Sequence, residues 1–290
     1  MSYELAIGDR TYSSWSLRGW LLFETFGLPV KTRSARMYSD DFTTLLADFA
    51  PARLVPAMKT PEGDVVYDTL AMTETLAERH PDLPIWPVDP AARALARSVT
   101  AEMHAGFTAL RTDCTMNLRS TFQGFQPSDA VKTDLARLDL LWTKARQTFG
   151  SNGHWLFGTW SAADVFYSPV ATRIATYRLP VSDLAADYVA AHLANPAFRR
   201  WRAMGLAENY IQPGYDPDLP AQPWPGPQPL HATAISQGRP ENQTCPFSGR
   251  PVTDLMQIDG RIFGFCNSFC RDKTVADPLA WPDFAAIYQK

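Results

Sequence analysis

Two groups of residues in this 290-residue chain have the types and spacing to do chemistry. The first is Tyr12-Ser13-Ser14-Trp15-Ser16-Leu17-Arg18, where serines cluster between a short apolar run and a helical pattern. A helix N-terminus presents unpaired N–H groups and a partial positive charge, which favour a bound anion. A serine at that position can also simply cap the helix. The second group is Cys245, Cys266 and Cys270, spaced C-x20-C-x3-C. Cysteines four apart at a helix start can face one centre, and three thiolates with tetrahedral reach suit Zn2+, or Cu(I) as a softer choice.

The elements that must position the serines can be read in order. Tyr3 to Ile7 is a strand, broken by Gly8 and Asp9. Leu17, Trp20, Leu21, Phe23 and Phe26 recur at helical spacing up to Gly27. Val30 to Ala35 offers a second strand, and Asp40 to Phe49 a short amphipathic helix stopped before Pro51. Leu54 to Met58 and Val65 to Tyr67 flank a turn-rich stretch and read as a hairpin, with Pro56 at a strand start, an edge or a turn. Asp68 and Thr69 then open a helix that ends before Pro81. The order is β-α-β-α-β-β-α.

That order, the Ser-Ser-x-Ser-x-Arg segment, Leu54-Val55-Pro56 before the hairpin and Asp68-Thr69 at the third helix together resemble the glutathione S-transferase family, most closely its zeta-like bacterial members. The resemblance covers roughly residues 1–210. It implies an α+β fold: a thioredoxin-like, glutathione-binding domain over 1–83 and an all-helical domain over 90–210. It also implies a cis Pro56 after Val55, and Ser13, with Ser14 as the near alternative, as the hydroxyl that contacts the glutathione sulfur. A thiol titrates near ~8.5 and only its thiolate attacks, so a hydroxyl donor at a helix N-terminus makes the thiol reactive at neutral pH. The Thr69 N–H and hydroxyl suit the γ-glutamyl carboxylate, and the Asp68 carboxylate its ammonium. Two departures stand out. Trp15 replaces the cysteine of the zeta-like motif, and Leu54 replaces the lysine or glutamine that often precedes Val-Pro, leaving Arg53 to reach the glycyl carboxylate.

A proline-studded connection over 81–90 separates the two domains. Ala91 onward reads as a long helical stretch whose faces carry Met103, His104, Phe107 and Arg111, and the resemblance makes these candidates for the second-substrate pocket. In the same comparison, the arginine that zeta-like isomerases use for a substrate carboxylate falls at Thr176, with Arg173 one turn earlier as the substitute. A transferase is therefore expected before an isomerase. Ser161 and Asp164 form a capping box, which is folding chemistry, and Asn195-Pro196 opens the last helix of the domain.

Eight prolines between Pro213 and Pro240 mark residues 211–243 as an extended linker. The final segment, 244–290, resembles small treble-clef metal modules of the TRASH and YHS type. A hairpin at Asp259-Gly260 would bring Cys245 towards Cys266. Ser248 stands where a Cys-x-x-Cys knuckle would have its second cysteine, so the fourth ligand is open among His231, an acidic residue such as Asp254, and water. Zinc holding a module too small for a core of its own is the expected role.

Composition sets the outer limits. A net charge of -3, and five basic against five acidic residues from Arg250 to Lys290, give no footprint for nucleic acid. No apolar run approaches the ~20 residues of a membrane span, and four cysteines do not make a secreted disulfide framework. The expectation is a cytoplasmic, homodimeric, glutathione-dependent transferase acting on a small electrophile. The competing class is a non-catalytic scaffold whose cysteine module binds metal and mediates partner binding or metal handling.

Overall fold

The computed structural model describes residues 2–151 and 153–290. Contacts divide the chain into two compact units, one of residues 1–193 and 212–225, the other of residues 194–211 and 226–290. This division differs from the expected boundaries at 210 and 243, because part of the proline-rich stretch folds into each unit.

The larger unit begins with β1 (Tyr3–Ile7), α1 (Ser14–Glu24), β2 (Val30–Ser34), α2 (Asp40–Ala47), β3 (Ala57–Lys59), β4 (Val65–Tyr67) and α3 (Thr69–Arg79). The sheet runs β2-β1-β3-β4, with β1 parallel to β2 and the other two pairings antiparallel. This is the expected βαβαββα order. Leu5, Ala6 and Ile7 are fully buried, as befits a central strand covered on both faces. Helix α1 buries Leu17, Leu21, Leu22 and Phe23. It passes close to the β3 entry, where a Cβ on Gly19 would lie 2.7 Å from Pro56. The Val55–Pro56 peptide is cis, as is Ala50–Pro51.

The helical part comprises α4 (Pro90–Ala105), α5 (Thr108–Asp113), the short strand β5 (Thr121–Phe122), α6 (Asp129–Phe149), α7 (Ala162–Tyr177) and α8 (Asp183–Ala194). Here the long helix expected from Ala91 onward is broken. Gly106 ends α4, and Phe107 sits in the left-handed region at φ 54°, so α5 leaves in a new direction. Helix α7 is buried along its whole length, and its capping box is present: Ser161 N–H and Oγ both donate to Asp164.

The smaller unit takes α9 (Pro196–Ala207), and the larger unit takes β6 (Ala221–Gln222), which pairs with β5. Then follow β7 (Ala232–Ile235), β8 (Asp254–Ile258), β9 (Arg261–Phe265), α10 (Ser268–Ala276) and α11 (Pro282–Tyr288). Strands β7-β8-β9 form an antiparallel sheet, and β8 turns into β9 through Asp259 (φ 49°) and Gly260 (φ 77°), the positive-φ pair a two-residue hairpin demands. The core gathers Met256, Ile258, Phe263, Phe265, Trp281 and Phe284 around Cys245. Arg199 of α9 is paired bidentately with Asp277 at 2.6 and 2.8 Å. Helix α9, expected to close the helical domain, thus belongs to the smaller unit. Among the described residues, no helix is long and apolar enough to cross a membrane.

Candidate functional site

A cavity of about 1030 Å³ opens in the larger unit, walled by the N-termini of α1 and α3, the β3 entry and α5. Ser13, Ser14, Arg53, Val55, Pro56, Asp68 and Thr69 all line it, so the structure gathers every residue expected at the sulfur and peptide ends of glutathione.

At the α1 end, Ser13 is the N-cap. Its Oγ accepts from Ser16 N–H at 3.3 Å and donates to Ser16 Oγ at 2.7 Å, and Ser16 Oγ accepts in turn from Gly8 N–H. Ser14, the first residue of the helix, accepts at Oγ from Arg173 Nη2 at 3.4 Å. Arg173 is only 5% exposed, and its other contacts are to the carbonyls of Cys114 (2.8 Å) and Pro169 (3.1 Å). Burial, with Arg111 nearby, draws its pKa down to about 10, so it remains charged at neutral pH. Trp15 lies between two guanidinium groups, with Arg18 4.4 Å and Arg111 5.0 Å from the ring centroid. The α1 end of the cavity is therefore cationic.

At the α3 end, Asp68 adopts φ 74° and caps the helix, its Oδ1 accepting from Leu70 N–H at 2.8 Å while Oδ2 meets His104 Nε2 at 3.0 Å. Thr69 is buried, and its Oγ1 has no hydrogen-bond partner among the described residues. Arg53 and Leu54 are exposed at the rim.

Only part of the expected second-substrate pocket is brought to this cavity. Arg111 and Arg173 line it, whereas Met103, His104 and Phe107 do not. Met103 is fully buried in the α4 core, and His104 is turned onto Asp68. Phe107 is buried at the break between helices, which takes it off the α4 face. The residues missed include Thr108, Thr112 and Thr115, one face of the α5 region, together with Met116 and Tyr215. Their i, i+4, i+7 spacing was a legible signal once a helix start after Gly106 is allowed. Tyr215 arrives from the proline-rich stretch, held by Asn117 Nδ2 donating to its carbonyl at 3.1 Å and by its ring 5.4 Å from that of Tyr12. Thr176 is fully buried and donates to the Asn117 carbonyl, away from the cavity wall.

In the smaller unit the thiols of Cys245, Cys266 and Cys270 lie within 4.8 Å of one another. Burial would raise the Cys245 thiol, but the N–H groups of Cys266 and Phe247 and the side chains of Ser248 and Cys266 outweigh it and bring the pKa down to about 7. Burial pushes Cys270 up to about 12, opposed by Lys273. Asn267 caps α10 by accepting from Cys270 N–H, which fixes the third thiol. Donor type, number and spacing fit a thiolate-bound zinc. His231 does not join them. It precedes Ala232, which pairs with Ile258, while Cys266 follows Phe265, which pairs with Asp254. The sheet thus holds His231 and Cys266 at opposite ends, roughly 20 Å apart along the strands at ~3.3 Å per residue.

Residues 12–79 match the family described as glutathione S-transferase, N-terminal domain. A probable maleylacetoacetate isomerase of Caenorhabditis elegans is 33% identical over 101 residues, 35% of this chain and 46% of that relative, so the match spans about half the relative's length. A glutathione transferase homolog from Burkholderia gl BGR1, solved with bound glutathione, superimposes with a TM-score of 0.53 at 20% identity, covering 71% of this chain and 98% of the homolog. Glutathione transferase Omega 3C of Trametes versicolor gives 0.52 at 17% identity, over 70% of this chain and 88% of its own. The fold is that of glutathione transferases, and residues 12–79 match the N-terminal domain of that family.

Proposed function

We propose that the chain is a glutathione transferase that activates the thiol at the N-terminus of α1. The observation that carries the reading is that one cavity gathers the start of α3 at Asp68 and Thr69, the Val55–Pro56 segment and the α1 serines. Thr69 holds the γ-glutamyl carboxylate, Asp68 the ammonium, Arg53 the glycyl carboxylate, and the Val55 backbone the cysteinyl unit. The sulfur then meets the α1 N-terminus. Ser13 Oγ spends its proton on Ser16, whereas Ser14 Oγ, accepting from Arg173, keeps its own proton for the sulfur. This geometry favours Ser14 over Ser13 as the hydroxyl that touches the thiolate. Hydrogen bond, helix dipole and guanidinium charge all stabilise the anion. The electrophile sits against Arg111, Arg173 and the α5 threonines. An isomerase activity like the one named for the nematode relative has less support, because a threonine, Thr176, stands at the position matched to its substrate-binding arginine and is turned away from the cavity, which leaves Arg173 alone to replace it.

The reading includes a homodimer in the cytoplasm and, on Cys245, Cys266 and Cys270, a zinc ion that supplies cross-linking to the small C-terminal unit, organised as a treble clef. Calorimetric titration of glutathione and S-methylglutathione into the wild type and a Thr69→Val variant tests the catalytic part. Saturable binding in the micromolar-to-millimolar range, weakened in the variant, is expected. No binding of either compound up to several millimolar overturns it and leaves the metal-binding scaffold as the surviving class.

A further inference from the structure

We infer that the three-thiol cluster leaves its fourth coordination position open on the solvent side, beside the Ser248 hydroxyl, so that a zinc ion held there carries an exchangeable ligand. The inference rests on the zinc reading above and adds what completes the tetrahedron. Among the described residues, the cluster of groups able to bind one ion contains Cys245, Cys266 and Cys270 and no histidine or carboxylate. The acidic residue that the sequence offered as a ligand is committed elsewhere: Asp254 accepts from Thr253 Oγ1 at 2.8 Å and pairs with Arg271 at 3.1 Å.

The three thiols are not equally enclosed. Cys245 is buried in the core, while Cys266 and Cys270 are half-buried and Ser248 is exposed. The open face of the triangle is therefore the Ser248 face. Ser248 sits in the turn after Cys245, where the Gly249 N–H donates to the Cys245 carbonyl at 2.9 Å, and its Oγ donates to Cys266 Sγ at 3.1 Å. A neutral hydroxyl is a far poorer zinc ligand than a thiolate, and here its proton already goes to a sulfur. Its place is beside the ion, where it can hydrogen-bond a fourth ligand.

Charge balance favours the same arrangement. Zn2+ with three thiolates carries one net negative charge. Lys273, one turn after Cys270, is 9% exposed, with its ammonium 3.6 Å and 3.9 Å from the ring centroids of Phe247 and Trp281. One buried cation balances a three-thiolate site holding a neutral water, and would leave a four-thiolate site with a net negative charge. The water is exchangeable for a small nitrogen or sulfur donor. This distinguishes the site from a closed structural zinc, which has four protein ligands.

The test is cobalt substitution of the full-length protein, read by its visible spectrum. One Co(II) per chain is expected, with thiolate charge-transfer intensity for three sulfurs, and imidazole should shift the ligand-field bands. Ser248→Cys should add a fourth sulfur, abolish the response to imidazole and slow removal by a chelator roughly 10- to 100-fold, on the scale of tuning around metal sites. Ser248→Ala should keep both the metal and the response. Wild-type bands that ignore imidazole, or loss of metal in Ser248→Ala, overturn the open position while leaving the zinc reading intact. Failure of the wild type to bind Co(II) or Zn(II) at all overturns both.

Discussion

The cavity of the larger unit and the thiol cluster of the smaller one both prepare for a charge they do not themselves carry. In the cavity the prepared groups are donors: two helix N-termini and Arg173, whose contacts are carbonyls and a serine. In the cluster they are acceptors: three sulfurs gathered within 4.8 Å, with Lys273 held between two rings beside them. One arrangement is complementary to an anion and the other to a cation. The difference also shows in what each region needs in order to fold. The cavity is carved from a unit with an extensive apolar core, whereas the cluster sits inside a core of nine buried residues.

The two regions should differ most when the proposed zinc is withheld. Zinc in small domains contributes on the order of 10 kcal/mol of apparent binding energy, which is folding energy. Chelation, or Cys270→Ser, should strip hydrogen-exchange protection from β8, β9 and α10 and leave β1 and α1 protected. Equal protection with and without metal would show that the smaller unit stands on its apolar core alone.

The next largest effect is expected at Thr69. Thr69→Val removes the unpartnered hydroxyl and should weaken glutathione about 10- to 100-fold, the worth of a hydrogen bond to a charged group. Its thermal stability should hold or rise, because a buried polar atom without a partner is lost. A variant that is less stable and binds normally would assign the hydroxyl to the fold.

Ser14 and Ser13 separate next. Ser14→Ala should raise the pKa of the bound glutathione thiol by about one unit, or ~1.4 kcal/mol, seen as a shift in thiolate absorbance with pH. Ser13→Ala should cost about 1 kcal/mol of stability through the lost cap. The reverse pattern would return the sulfur contact to Ser13.

The smallest effect near neutral pH is at His192 of α8, a buried polar group that serves the fold alone. Its Nδ1 meets Ser168 Oγ at 3.1 Å, and the rings of Trp155, Trp160 and Tyr188 surround it. Burial pushes its pKa down to about 3. The unfolded chain, titrating near ~6.5, takes up the proton first as pH falls, so stability is lost below that value at up to about 1.4 kcal/mol per pH unit. Asp164 works the other way: burial raises its pKa to about 6, so its folded form gains the proton first on acidification. Comparing the wild type with His192→Asn isolates the histidine, since the variant should lose less stability between pH 6.5 and 5. Parallel profiles would mean that the imidazole is solvated in the native state.

Much of the architecture was legible because it rests on local rules. The alternation of Tyr3–Ile7, the serine and aspartate caps, the Asp259-Gly260 turn and the Ser161–Asp164 box each act over a few residues and appear as read. The misreadings arose where a local pattern was continuous but the backbone was not. The stripe from Ala91 through Arg111 carries helical spacing throughout, yet Gly106 and Phe107 turn the chain, so Phe107 is buried in the break while Arg111 still reaches the cavity.

The sequence by itself determined the element order, the helix ends that form the cavity, and the spacing that lets three cysteines meet. These follow from backbone sterics, capping and periodicity, which a chain carries wherever it goes. Only the tertiary structure decided that His231 lies at the far end of the sheet from the thiols, that Tyr215 comes back to the cavity, that α9 joins the smaller unit, and that Thr69 keeps an unpaired hydroxyl. Register, burial and the absence of a partner are properties of groups far apart in the chain, and packing alone sets them.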